Sequence, residues 1–203
     1  MTEAKWDARY GGQAYAYGEA PNGFLREQAK LLRPNSRVLC VGDGEGRNGV
    51  YLASLGHDVV SLDASGVGLG KARALAERRG VEIETWHVDL EHYLGLGDPE
   101  QPWDAVVHIF CHLPPRLRRD VALGFTAQTR SGGRLLYEAY TPAQLLLGTG
   151  GPKELDQLVT RRDVVEDWGE GWEVDVRIVE RRIDEGAHHR GLASVVQAVG
   201  QRR

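Results

Sequence analysis

Residues 38–48 read VLCVGDGEGRN, and the way this stretch divides decides the fold. It begins as a short apolar run of strand type that stops at Gly42. Glycines recur at 44 and 46, and a helical pattern opens directly afterwards. Gly42 can take backbone angles closed to other residues, Gly44 and Gly46 leave no side chain above the turn, and the next helix presents unpaired amide donors. Such a loop suits something flat and polar lying against its backbone. Further on, a second apolar run, VVSLD, ends in Asp63, whose carboxylate can accept hydrogen bonds from both hydroxyls of a ribose. The two strand ends together imply a nucleoside-containing cofactor.

Gly44, Gly46 and Gly49 also spell G-x-G-x-x-G, the dinucleotide fingerprint, which would imply an NAD(P)-dependent oxidoreductase. Register separates the two readings. In that fingerprint the first glycine follows the strand directly, a place held here by Gly42. Counting from Gly44 leaves Gly42 and Asp43 as an unexplained insertion, whereas G-x-G-x-G from Gly42 needs none.

The chain has 203 residues, 41% hydrophobic and 27% charged, which fits one globular domain with a sizeable core. The expected organisation is a single domain over 1–203, with an N-terminal segment and helix at 1–33 and an α/β core at 34–203. A net charge of −4 and a pI near 6.0 argue against a nucleic-acid partner. No window approaches the ~20 apolar residues that cross a bilayer. The start, MTEAKWDARYGG, lacks the regions of a signal peptide, so the expected location is cytoplasmic. Cys40 and Cys111 lie in apolar runs and read as buried free thiols. His57, His87, His92 and His108 show no ligand spacing, and no metal is expected. Phosphate-loop, H-E-x-x-H and G-x-S-x-G motifs are missing from the sequence.

Periodicity predicts alternating elements. Asn22 caps a helix to about Leu32; Val38–Val41 is a strand; Arg47–Leu55 is a helix; Val59–Leu62 is a strand; Val67 to Arg79 is a helix. Strands follow at Val81–Trp86, Ala105–Phe110 and Leu135–Tyr140, with a helix from Pro114 to Thr129 between the last two. A helix after the TGGPK loop runs to about Asp167. Two long runs, 172–183 and 190–199, make a hairpin. The fold class is therefore α/β, a Rossmann-like doubly wound sheet of seven strands, five parallel plus a C-terminal antiparallel hairpin.

WDARY, YAYGEAPN, GDGEGRN, IFCHLP and EAYTP with TGGPK occur in that order. With these segments the chain resembles the class I methyltransferases that use S-adenosylmethionine, in the small bacterial branch of the tellurite-resistance and thiopurine methyltransferases. The resemblance implies a cofactor site made of Gly42, Asp43, Gly44, Gly46, Arg47 and Asn48. It adds Asp63 and Ala64 at the ribose, Asp89 and Leu90 at the adenine, and Phe110 and Cys111 along the methionine arm. The family often has an acid where Cys40 stands, which leaves Asp43 or Glu45 to hold the loop. The implied activity is methyl transfer to a small molecule, a thiol or a chalcogen oxyanion such as tellurite, by a monomer or homodimer. A protein that binds S-adenosylmethionine without catalysis is the further alternative.

Three residues are candidates for the chemistry. His112 follows the fourth strand at the crevice, with an ordinary pKa near neutrality. Tyr17 lies in an N-terminal segment that holds Trp6, Tyr10, Tyr15, Tyr17 and Phe24, expected to fold as a lid with ring faces toward the cationic sulfur. Arg190, or in its place the adjacent His189, is the candidate in the hairpin turn for meeting an anionic acceptor. His188 and His189 alternate sides on a strand and cannot share one metal.

Overall fold

The computed structural model describes residues 3–203. Strands β1 (Arg37–Val41), β2 (Asp58–Asp63), β3 (Glu84–His87), β4 (Trp103–Ile109), β5 (Thr129–Tyr140), β6 (Trp172–Asp184) and β7 (Arg190–Arg202) form one sheet of order β3-β2-β1-β4-β5-β7-β6. The first five are parallel, and β7 runs antiparallel between β5 and β6. The order reverses between β1 and β4. Their carboxyl ends, where Gly42 and Phe110 begin their loops, flank the crevice of an open α/β sheet.

Alternation along β1 sorts the core into two layers. Leu39 and Val41 face a cluster with Val106, Tyr93, Phe125 and Trp168, which packs under α5 (Leu90–Gly95), α6 (Pro115–Gln128) and α7 (Arg161–Trp168). Val38 and Cys40 face Leu25, Leu52 and Val107, under α2 (Gly23–Gln28) and α3 (Arg47–Ser54). Buried Leu75 brings α4 (Gly66–Arg79) against α3. Cys40 and Cys111 are free thiols, Cys40 buried as expected and Cys111 half-buried rather than buried. Among the described residues no helix is long and apolar enough to cross a membrane.

Several boundaries differ from expectation for local reasons. The expected third strand starts late, at Glu84, because Val81 donates its N–H to Ala76 O and closes α4 instead. The helix from Asn22 is a short α2 followed by a 3-10 turn over Ala29–Leu31. In place of one long helix to Asp167, a 3-10 turn at Leu155–Gln157 precedes α7, which starts with a reciprocal cap between Thr160 and Asp163. Gly66 opens α4, its amide-rich start capped by Ser65, whose Oγ accepts from Gly68 N at 3.0 Å.

Asn22 joins three elements. Its Oδ1 accepts from Leu25 N at 2.9 Å, capping α2, while Nδ2 donates to Glu138 at 2.6 Å and to Glu185 at 3.2 Å. Asn22→Ala removes the cap and a donor to each of two buried carboxylates. It is expected to lower the unfolding free energy by about 2–4 kcal/mol in urea titrations, against under 1 kcal/mol for a plain surface asparagine.

Candidate active site

The glycine loop is shaped by what surrounds it. Gly42 and Gly44 have φ of 61° and 57°, and a Cβ on them would lie 2.7 Å from Cys111 Sγ and 2.5 Å from the Tyr10 hydroxyl. Side chains are excluded by conformation and by space. Gly42 N and Asp43 N both donate to Leu62 O, at 2.8 and 3.2 Å. The Asp43 carboxylate accepts from Ser61 Oγ at 2.6 Å and from Gly49 N at 3.2 Å, so this acid pins the loop to β2 and α3 where Cys40 cannot. Glu45 instead accepts from Ala16 N at 2.7 Å and pairs with Lys71, tethering the N-terminal segment.

Asp63 completes the frame. Its two oxygens accept from Gly44 N and Ser65 N, each at 2.8 Å, and leave lone pairs facing the cavity. Burial raises its pKa to about 6.

A cavity of about 1330 Å³ opens over these strand ends. That exceeds the roughly 300–1,000 Å³ of a one-ligand pocket and leaves room for two small molecules. Gly42, Asp43, Arg47, Asn48, Asp63, Ala64, Asp89, Leu90, Phe110, Cys111, His112 and Tyr17 all line it; Gly44, Gly46 and Arg190 do not. Gly44 acts through its bond to Asp63, and Gly46 caps α3 and packs on Ala72. Asp89 lines the wall and also caps α5, accepting from His92 N at 2.8 Å.

The wall missed by motif reading is aromatic. Trp6 and Tyr10 of α1 (Glu3–Tyr10) stack at 5.6 Å, Tyr10 meets Tyr17 edge-on at 6.3 Å, and Tyr17 lies 4.5 Å from His189. His189 in turn contacts Phe110 at 4.8 Å. The only sequence signal for this wall was the density of rings before the glycine motif.

Two candidates stand differently from expectation. Arg190 is exposed and pairs with Asp184 at 3.1 Å on the hairpin surface, while its buried neighbour His189, whose carbonyl accepts from Glu185 N at 2.8 Å in the β6–β7 turn, lines the cavity instead. His112 lines the cavity, yet its Nδ1 bonds to Gln157 O at 2.9 Å and its Nε2 takes a long 3.5 Å contact from Tyr140 N. Burial lowers its pKa to about 4, so the ring is neutral and a poor base. Cys111 is a thiol, its pKa pushed up to about 12 by burial.

Residues 38–133 match the methyltransferase domain family. The chain is 36% identical over 72 residues to the uncharacterized methyltransferase YbaJ of Bacillus subtilis (strain 168), covering 36% of this chain and 28% of that protein. TehB from Haemophilus influenzae superposes with a TM-score of 0.71 at 19% identity, over 99% of this chain and 67% of TehB. The N-methyltransferase NodS from Bradyrhizobium japonicum WM9, in complex with S-adenosyl-L-homocysteine, superposes with a TM-score of 0.70 at 15% identity, over 98% and 97%. These structures share the Rossmann-like fold of this chain.

The raised pKa of Asp63 has a stability consequence. A carboxyl whose folded pKa lies above its unfolded value of 3.8 contributes fully below that value and loses the contribution as pH rises through about 6. The unfolding free energy of the wild type relative to Asp63→Asn is expected to fall by about 2–3 kcal/mol between pH 4 and pH 8. Urea titrations at the two pH values check this, and a constant difference would mean an ordinary carboxyl.

Proposed function

We propose that this chain transfers the methyl group of S-adenosylmethionine to a small-molecule acceptor, in the cytoplasm and as one domain. The observation that carries the reading is the Asp63 carboxylate, oriented by Gly44 N–H and Ser65 N–H at the end of β2 beside the glycine loop and still able to accept from ribose hydroxyls. Further along the cavity wall, Asp89 and the apolar side chain of Leu90 are suited to give an adenine an acceptor and a packing surface. Acidic residues outnumber arginines on the wall seven to two, which favours a cationic ligand over a dinucleotide phosphate. The family match likewise supports methyl transfer over the nicotinamide reading.

When bound, S-adenosylmethionine supplies an electrophilic methyl group on a sulfonium. The protein's part is alignment and exclusion of water. Trp6, Tyr10, Tyr17 and Phe110 offer electron-rich ring faces on the cavity wall, and the N-terminal segment that carries three of them serves as the lid. His112 orients rather than deprotonates, since both its nitrogens are engaged and its pKa is about 4. The acceptor therefore arrives with its nucleophile already free, as a thiolate or a chalcogen oxyanion does near neutral pH.

Calorimetry is expected to give binding of S-adenosylmethionine and none of NAD or NADP. Asp63→Ala should weaken S-adenosylmethionine about 10–100-fold, the loss of charged hydrogen bonds to the ribose. A turnover screen for S-adenosylhomocysteine release over thiols, selenite and tellurite identifies the acceptor. With a thiol, rate should follow the thiol's own ionisation; a rate that tracks an enzyme group near pH 6.5 would reinstate a histidine base.

A further inference from the structure

We propose that His108 is a positioning residue, its ring holding the turn after β4 in the shape that sets Phe110 and Cys111 along the amino-acid arm of the cofactor; this rests on the methyltransferase reading above. His108 lies on the central strand β4, between Val41 of β1 and Tyr137 of β5, and is 1% exposed. Its ring is set among core side chains, 5.0 Å from that of Tyr137 and 6.5 Å from that of Trp168. Nε2 stands 2.7 Å from the carbonyl oxygen of Cys111. A carbonyl only accepts, so Nε2 carries the proton and Nδ1 is a bare acceptor. That Nδ1 is buried with no hydrogen-bond partner among the described residues.

Folded proteins leave few buried polar atoms unpaired, and an apolar side chain would fill this place without that penalty. What the imidazole supplies in exchange is the bond to Cys111 O. Burial lowers its pKa to about 4, so the ring is neutral and its donor is in place throughout the neutral range.

The bond falls where the backbone is strained. Phe110 has φ 53°, a left-handed conformation disfavoured for a bulky side chain. Its N–H donates to Glu138 O at 2.8 Å, so β5 holds the turn on one side of Phe110 and His108 holds it on the other. Cys111 also lies close on the glycine loop, since a Cβ on Gly42 would stand 2.7 Å from its Sγ and 2.9 Å from its Cβ. Without the His108 donor, Phe110 is free to relax toward extended backbone, which draws Phe110 and Cys111 away from the wall they line together. The nucleoside half of the site is held by other groups. Asp63 is oriented by Gly44 N and Ser65 N, and Asp89 by His92 N.

The test compares, by calorimetry, the affinities for S-adenosylhomocysteine and for methylthioadenosine, a nucleoside thioether without the amino-acid arm. Their ratio reads what the arm contributes. His108→Phe keeps the ring packing and loses the donor. His108→Asn places its amide nitrogen one bond too near Cβ to reach Cys111 O, whereas His108→Gln places it as many bonds out as Nε2. His108→Phe and His108→Asn are expected to lower the ratio tenfold or more while methylthioadenosine affinity stays within threefold of the wild type, which also certifies their folding. His108→Gln is expected to keep the ratio within threefold. A smaller fall in His108→Phe or His108→Asn, equal losses of both ligands in those variants, or a fall beyond threefold in His108→Gln overturns the proposal; equal losses would make His108 a residue of stability alone. Failure of the wild type to bind S-adenosylhomocysteine at all is a different result, and sinks the functional reading itself.

Discussion

Glu138, at the end of β5 and fully buried, accepts from Asn22 Nδ2 at 2.6 Å, from Gln197 Nε2 at 2.6 Å and from two guanidinium nitrogens of Arg181 at 3.0 and 2.8 Å. Arg181 reaches on to Glu185, which holds Arg47. Two carboxylates and two guanidinium groups thus close a neutral chain that ties the N-terminal segment, the start of α3 and the β6–β7 hairpin to the sheet. Desolvating four charges is expensive, and their mutual attraction offsets it only when nearly every lone pair and proton is used. A network of this kind fixes geometry more than it adds net stability. What it fixes here is the roof of the cavity, since Glu185 bonds through its N–H to His189 O and sets the turn that aims His189 inward.

Glu138 works through its backbone as well. Its carbonyl accepts from Phe110 N at 2.8 Å, holding Phe110 at φ 53°, a left-handed conformation that costs a bulky residue about 1–3 kcal/mol. Stacking on Tyr140 at 4.6 Å and the edge contact with His189 keep the ring in place against that strain. Strain at this point turns the chain sharply after β4 and lets consecutive residues, Phe110, Cys111 and His112, all reach the cavity wall. Relaxed extended backbone would send alternate side chains to opposite faces.

Much of this was legible in the sequence where a residue type has few uses. Glycines at 42 and 44 mark close approach, and a strand of Val and Leu ending in Asp63 marks the crevice, because both follow from local backbone chemistry. The sheet followed from periodicity for the same reason. The roof was not legible: which of His189 and Arg190 faces inward depends on how the β6–β7 turn closes, through the bond from Glu185 N–H to His189 O, and on the distant partners that hold Glu185. His112 misled because its position was readable and its partners were not. Gln157 O, which occupies its Nδ1, comes from a turn 45 residues further on. Tyr10, likewise, gains its place only when Lys71 gathers the carbonyls of Tyr10, Gly12 and Ala14 at 3.2, 2.9 and 2.7 Å.

The free protein holds this cavity open at a cost, and that cost is part of how it selects a ligand. Burial raises the pKa of both Asp43 and Asp63, so their ionised forms at neutral pH are destabilised relative to the unfolded chain. Asp43 spends its lone pairs on Ser61 and Gly49 inside the protein. Asp63 has capacity left, facing the cavity beside a wall richer in carboxylates than in cations. A ligand that brings hydroxyl donors to Asp63 and a positive charge to that wall relieves both penalties together. An anionic or donor-poor ligand of the same shape relieves neither. On the proposed reading, preference for a cationic nucleoside would reside in the desolvated carboxylates, while the glycine loop that first marked the site in the sequence would supply the surface on which such a ligand lies.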